Sequence, residues 1–185
     1  MKINFLLAVL FTTTMTWAQE YILKTEKSAI KWTGKELTTK QHYGSLTFAS
    51  GSIAFQEGVP ASGAFEVDMT SLVCDDLPAE YAPKLEGHLK SDDFFSVESF
   101  PIASLVVTSA SVAENGSFDV QADLTIKGIT HPASFKLTPD GDNWTAKLTF
   151  DRSKYDVRFR SGTFFQNLGD KLILDDIVLE TKLVF

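Results

Sequence analysis

Apolar and polar residues alternate with a period of two along most of the chain, which is typical of β-strands with one buried face. The longest run of this kind has its apolar positions at Phe118, Val120, Ala122, Leu124 and Ile126, with polar residues between them. Shorter runs with the same period begin at Ile30, Leu46, Ile53, Phe65, Phe135, Trp144 and Ile177. The pattern predicts about eight or nine strands.

Short connections between these runs favour a meander of antiparallel strands. Asn115-Gly116 and the stretch 139–142 have the chemistry of tight turns. Such a meander must close or fold over to bury its apolar face and protect its edges. An eight-stranded closed barrel is wide enough to hold one small ligand, but a two-sheet sandwich satisfies the same periodicity. Both architectures stay open at this point.

The period changes in two places. Tyr81, Leu85 and Leu89 recur at every fourth residue between positions 78 and 93, which predicts a short helix. The stretch 153–170 is irregular. The chain is therefore expected to carry one or two short helical insertions among its strands.

The first residues predict export. Lys2 precedes an apolar run over residues 3–11, and Thr16-Trp17-Ala18 offers small residues for a signal peptidase, so we expect residues 1–18 to be cleaved off. The apolar run is much shorter than the ~20 residues of a transmembrane helix, and no transmembrane segment is predicted. Residues 19–185 are expected to form a single soluble domain in the periplasm or outside the cell.

Charge and residue chemistry exclude several classes of function. The net charge is −7 and becomes −8 once Lys2 is removed, so the surface should repel nucleic acid. Cys74 is the sole cysteine and is interpreted as a small, half-buried residue. His42, His88 and His131 are too far apart in sequence to predict a metal site. No catalytic acid–base pair stands out, so we expect a protein that is not an enzyme and requires no cofactor.

Two blocks of sequence carry a family resemblance. They are residues 89–95 with Phe100-Pro101 behind them, and residues 123–130. Further matching stretches, in order, are 28–32, 44–48, 71–72, 151–155 and 175–177. With these, residues 21–185 resemble a divergent branch of the YceI family. The branch is divergent because Lys27 stands where typical members have Asp or His. The resemblance implies an all-β fold, an extended eight-stranded antiparallel lipocalin-like barrel. It also implies an apolar tunnel for an isoprenoid lipid, such as a quinone or a polyprenyl phosphate.

A tunnel for a prenyl chain needs large apolar side chains on the inward positions of several strands. The candidates for this wall are Trp32, Phe48, Phe55, Phe65, Leu105, Val107, Phe118, Leu124, Phe135, Leu148 and Phe150. A barrel without a ligand would fill its interior with the same residues. A structural or protein-interaction barrel with a solid core is therefore the alternative.

The candidates for contact with a lipid headgroup are basic. Arg152, Arg158 and Arg160 lie within nine residues of one another in an acidic chain, and His42 precedes a matching stretch. A guanidinium group can donate two hydrogen bonds to a diphosphate or bind a quinone carbonyl. The same arginines could instead form ion pairs with Asp151, Asp156, Asp175 or Asp176. An edge strand left open would favour a homodimer through pairing with a second copy.

Overall fold

The computed structural model describes residues 18–38 and 40–185. This part of the chain contains nine strands and one α-helix. The strands are β1 (Gln19–Ile22), β2 (Ala29–Glu36), β3 (Gln41–Gln56), β4 (Val59–Cys74), β5 (Ile102–Val112), β6 (Phe118–Ile126), β7 (Ile129–Asp140), β8 (Asn143–Asp151) and β9 (Ile173–Leu183), and the helix is α1 (Ala82–Lys90). The predicted signal peptide lies outside the described residues apart from Ala18.

The strands close into a ring. Each strand from β2 to β9 pairs antiparallel with a neighbour on both sides, in the order β3-β2-β9-β8-β7-β6-β5-β4, and β4 pairs with β3 to complete the circle. The short β1 lies in line with β2, because both pair with β3, at residues 52–55 and 41–46 respectively. Within the described chain this is a closed eight-stranded antiparallel barrel. The barrel prediction is confirmed, and the sandwich is excluded.

The alternation in sequence follows the inside and outside of the barrel. In β6, Phe118, Val120, Ala122, Leu124 and Ile126 are all buried, while the residues between them are exposed or half-buried. Successive side chains of a strand point to opposite faces, so this strand presents one apolar face to the interior. Burial of that face, repeated around the ring, stabilises the fold.

Tight turns join neighbouring strands where the backbone takes a left-handed conformation. Asn115 and Gly116 connect β5 to β6 with φ of 57° and 72°. Lys127 and Gly128 connect β6 to β7 with φ of 51° and 72°. Consecutive positive φ angles match the right-handed twist of a two-stranded hairpin, and glycine adopts them without steric cost. The hairpin predicted at Asn115-Gly116 is confirmed.

The two sequence blocks that carry the family resemblance meet in space. A Cβ atom on Gly128 would lie 3.2 Å from Cε1 of Phe100, so the Phe100 ring packs directly on the glycine of the β6–β7 turn. The backbone carbonyl of Pro101 accepts a hydrogen bond from the N–H of Met69 at 2.9 Å. Phe100, which follows the first block, therefore packs on the turn of the second block at the end of the barrel that carries α1.

Helix α1 and the loop after it cover this end of the barrel. The Glu86 side chain accepts a hydrogen bond from the backbone N–H of Cys74 at 2.9 Å, and Lys90 Nζ donates to the carbonyl of Thr70 at 2.8 Å. In the loop that follows, Phe94 and Phe95 are buried. The predicted short helix is confirmed. No helix in the described ranges is long and apolar enough to cross a membrane.

Candidate binding cavity and its mouth

The barrel interior contains a cavity of about 540 Å³. This volume lies within the range of ~300–1,000 Å³ typical of small-ligand pockets. The walls are inward-facing apolar side chains of the barrel strands, together with Leu85 and Leu89 of α1. An interior with this much free space is not a solid core.

Most of the predicted wall residues border the cavity. They are Trp32, Phe48, Phe65, Leu105, Leu124, Phe135, Leu148 and Phe150. Each lies on an inward position of its strand, as the alternating pattern predicted. Contact of these side chains with a ligand stays a prediction.

The other three predicted wall residues, Phe55, Val107 and Phe118, do not border the cavity. Phe55 and Phe118 form a ring cluster with Trp144, which was not predicted as a wall residue, with centroid separations of 5.8 to 6.1 Å, at the end of the barrel opposite α1. Val107 is buried, with one methyl 3.3 Å from where a Cβ on Gly63 would lie. These side chains fill the interior there, so we refer to this end as the closed end.

Among the described residues, the charged side chains and histidines that border the cavity lie at its α1 end. They come from the end of β2, the start of β3, α1 and the segment after β8: Lys35, Glu36, His42, Lys84, His88 and Arg160. We call this polar rim the mouth. A ligand with an apolar chain and a polar end would therefore be oriented with its polar end at the mouth.

The three clustered arginines have different environments. Arg152 is fully buried, and its guanidinium donates to the backbone carbonyls of Val157, Phe159, Ile173 and Leu174 at 3.0 to 3.3 Å. It also pairs with Asp175 at 3.2 Å. Burial lowers the pKa of Arg152, and the nearby carboxylates oppose that shift. Arg152 does not border the cavity. It ties the segment after β8 to the start of β9, which favours the ion-pair alternative for this residue.

Arg158 and Arg160 also differ from each other in their contacts and in their position relative to the cavity. Arg158 is exposed, pairs with the carboxylate of Asp156, and lies over the Phe164 ring. Arg160 borders the cavity and lies over the Phe159 ring, 5.1 Å from its centroid. Arg160 forms no ion pair with any residue in the described part of the chain. Of the three arginines, Arg160 is the one placed to meet a ligand.

His42 borders the mouth within a polar cluster that the sequence did not reveal. Its Nδ1 lies 2.8 Å from Oδ2 of Asp76, and Oδ1 of Asp76 accepts hydrogen bonds from Cys74 Sγ at 3.1 Å and from the N–H of Tyr43 at 2.9 Å. Burial would raise the pKa of Asp76, but the bonds from Tyr43, Cys74 and His42 outweigh it and lower that pKa. Burial, together with the bond to Asp76, raises the pKa of Cys74 to about 11. At neutral pH the cluster therefore contains a carboxylate and a protonated thiol.

A glycine in one of the matching stretches lies beside this cluster. Gly44 pairs with Cys74 across β3 and β4. A Cβ on Gly44 would lie 1.9 Å from the carbonyl oxygen of Val73 and 2.8 Å from Nε1 of Trp32. Its absence lets the Trp32 indole donate to that carbonyl at 3.0 Å. No sequence signal identified Asp76, because its partners His42 and Tyr43 lie on a strand more than thirty residues away.

His88 of α1 is a second polar group at the mouth that the sequence analysis did not propose as a ligand contact. Its ring stands 4.3 Å from that of Phe159 and 5.9 Å from that of Phe94, centroid to centroid. Its Nε2 is buried and has no hydrogen-bond partner among the described residues. A buried polar atom without a partner costs about 1–3 kcal/mol. A polar ligand atom at the mouth could supply the partner.

The fold and the cavity define the class: a closed antiparallel barrel of the lipocalin-like kind, with an apolar cavity that opens at a polar mouth. The family model described as a YceI-like domain matches residues 21–185, and the chain therefore belongs to the YceI family. Protein YceI from Salmonella newport is 28% identical over 170 residues, which are 89% of this chain and 86% of that protein.

Two solved structures share the fold. Burkholderia cenocepacia BcnA superposes with a TM-score of 0.63 at 19% identity, over 87% of this chain and 98% of that one. A polyisoprenoid binding domain from Saccharophagus degradans superposes with a TM-score of 0.57 at 14% identity, over 88% of this chain and 95% of that one. At these identities the likeness shows the fold alone.

Proposed function

We propose that this protein is a non-enzymatic lipid-binding protein that holds an isoprenoid chain, of the quinone or polyprenyl phosphate type, inside the barrel. The observation that carries the proposal is the apolar cavity of about 540 Å³, blocked at the closed end and polar at the mouth. Membership of the YceI family and the likeness to a polyisoprenoid binding domain support the same class of ligand.

The energetics favour a long apolar ligand. Burial of hydrocarbon contributes roughly 25 cal/mol per Å², or about 0.8 kcal/mol per methylene group. The wall provides aromatic and aliphatic surface without a charged side chain below the mouth, so a prenyl chain would meet only weakly polar groups such as Ser104 and Thr181. A hydrophilic or highly charged ligand would lose its hydration there without compensation.

The headgroup would lie among the groups at the mouth. Arg160, Lys35 and Lys84 offer cationic donors to a phosphate, and a guanidinium can equally donate to a quinone carbonyl. The unpartnered Nε2 of His88 is a further contact for a polar headgroup atom. Arg152 is excluded from this role by its burial and its four backbone partners.

The chemistry of the mouth favours binding over catalysis. The thiol of Cys74 donates to the carboxylate of Asp76, and its pKa is raised, which is the opposite of an activated nucleophile. The alternative, a barrel filled by side chains that serves protein interactions, is disfavoured by the free volume of the interior.

We further propose that the protein is exported, because residues 1–18 have the pattern of a signal peptide.

The test fills the cavity from two sides. Ala103 of β5 and Ala146 of β8 both border it, so Ala103→Phe and Ala146→Phe should each occupy space that the lipid needs. The matched control is Ala64→Phe, which adds the same ring at an exposed position of β4. Uptake of a radiolabelled polyprenyl phosphate is measured by gel filtration, and folding is measured by thermal melting.

We expect the wild type and Ala64→Phe to take up close to one equivalent of lipid. Both filled variants should lose most of that uptake while keeping a cooperative melting transition. The proposal fails if the folded wild type takes up no prenyl lipid. It also fails if the filled variants bind as well as Ala64→Phe does.

A further inference from the structure

Three side chains with metal-binding chemistry converge at one corner of the mouth. His42 lies at the start of β3, Cys74 ends β4, and Asp76 follows two residues later. One donor atom from each, Nδ1 of the histidine, Sγ of the cysteine and a carboxylate oxygen, lies within 4.8 Å of the other two. Imidazole, thiolate and carboxylate are the donors that bind Zn²⁺ in proteins.

The strand pairing builds this arrangement. Cys74 pairs with Gly44, and His42 is two residues before Gly44, so both side chains lie on the inward face of neighbouring strands. The carboxylate of Asp76 is held by the backbone N–H of Tyr43 at 2.9 Å. In metal sites the ligand side chains are commonly oriented by hydrogen bonds from neighbouring groups, and the N–H of Tyr43 would orient the Asp76 carboxylate in this way.

The spacing of the donor atoms fits a single ion. Zn²⁺ binds its ligands at about 2.0–2.3 Å, which places the ligand atoms of a tetrahedral ion about 3–4 Å apart. The present contacts are 2.8 Å from His42 Nδ1 to Asp76 Oδ2 and 3.1 Å from Cys74 Sγ to Asp76 Oδ1. All three donor atoms lie within 4.8 Å of one another, so small side-chain rotations would bring them to this spacing.

The charges also match. A thiolate and a carboxylate together carry two negative charges and would balance a divalent cation. The proton of the Cys74 thiol, which now lies on the bond to Asp76, would leave to solvent when the metal–sulfur bond forms. His42 would bind through Nδ1 and keep its remaining ring proton on Nε2. The sulfur and nitrogen donors disfavour Mg²⁺ and Ca²⁺, which require oxygen ligands.

We propose that His42, Cys74 and Asp76 form a binding site for a borderline-soft divalent cation of the Zn²⁺ type at the mouth of the barrel. His42 is one-third exposed, so water can reach a fourth coordination position. The sequence analysis predicted no metal site because it rested on the spacing of the histidines. The three ligands proposed here come from β3 and from the end of β4 and the residues after it, which only the fold brings together. The site does not depend on the lipid-binding proposal.

The test uses Co²⁺ as a spectroscopic probe of the full-length mature chain after treatment with a chelator. Co²⁺ bound to a thiolate gives an intense near-ultraviolet charge-transfer band, and the chain has one cysteine, so such a band reports Cys74. We expect one equivalent of Co²⁺ to produce the band and one equivalent of Zn²⁺ to abolish it. This measurement needs no variant.

Variants then measure how much individual ligands contribute to Zn²⁺ binding. Cys74→Ser and His42→Ala should each weaken Zn²⁺ binding by at least about 100-fold, since even groups behind the ligands are worth ~10–100-fold. The control is His131→Ala, whose Nε2 instead contacts the carbonyl of Lys154. A folded wild type that gives no thiolate band overturns the proposal. Equal Zn²⁺ affinity in the wild type and the folded Cys74→Ser variant does the same.

Discussion

The two ends of the barrel are closed in different ways. At the closed end, Phe55, Phe118 and Trp144 pack ring against ring, and Tyr21 adds an edge contact to Phe55 at 5.7 Å. At the mouth, the chain is held by polar side chains that bind backbone groups, and apolar space remains open beneath them. The comparison indicates that one end provides stability and sets the depth of the cavity, while the other end holds the groups that can recognise a ligand.

Arg152 gives the strongest test of whether buried polar contacts stabilise the α1 end of the barrel. Arg152→Met should destabilise the protein by about 3–5 kcal/mol, because it leaves Asp175 without its buried counter-ion and frees four backbone carbonyls. The matched change Arg158→Met should cost no more than about 1 kcal/mol, since its ion pair is exposed. Urea denaturation measures both. Equal losses would contradict the distinction between the two arginines.

Phenylalanines at the two regions should respond differently to truncation. Phe118→Ala at the closed end should cost about 3–4 kcal/mol, because a void opens in a packed cluster. Phe135→Ala in the cavity wall should cost clearly less, since that ring already faces free space and has fewer contacts to lose. Chemical denaturation gives the free energies. A larger loss at Phe135 would show that the interior is packed rather than hollow.

Gly44 tests the close approach of strands at the mouth. Gly44→Ala should cost about 1–3 kcal/mol, because the added Cβ would meet the rigid backbone carbonyl of Val73. Gly87→Ala in α1 is the control, since outside its two chain neighbours and the nearby backbone of its own helix no described atom lies within 4 Å of the Cβ that it adds. In a helix this control change should stabilise the protein by about 0.5–1 kcal/mol. Thermal melts with opposite shifts are expected, and shifts of the same sign would refute the steric argument.

His88 gives the smallest effect and separates stability from binding. His88→Leu should raise the free energy of unfolding by about 1 kcal/mol, because it removes a buried nitrogen that has no partner among the described residues. The same variant should bind a prenyl phosphate more weakly and a prenyl hydrocarbon equally well. The control His131→Leu should instead lose stability, since Nε2 of His131 contacts a carbonyl. Loss of stability in both variants would count against an unpartnered His88.

Local pattern predicted the strands, the turns and the inward face of the barrel. In β6 every predicted inward residue is buried, because one side of the strand faces the interior along its whole length. Pattern could not locate the cavity along the barrel axis. Phe48 and Phe55 belong to one predicted wall, yet irregularities in the β3–β4 pairing lie between them, and only Phe48 borders the cavity.

The mouth was harder to predict because its contacts join distant parts of the chain. Arg152, Arg158 and Arg160 are neighbours in sequence, but the path of the chain after β8 gives them a buried, an exposed and a cavity-facing position. Asp76 meets His42 across a separation of 34 residues. The sequence identified the three arginines as a group, and only the fold could distinguish the structural role of Arg152 from the position of Arg160 at the cavity.

The measurement that tests the central claim most directly is mass spectrometry of an organic extract from the protein purified from its native cells, scaled to protein concentration. The account predicts a prenyl lipid in near-stoichiometric amount, and it predicts that protein stripped of that lipid takes up an added polyprenyl lipid. An empty extract, together with no uptake of the added lipid by folded protein, would contradict the account.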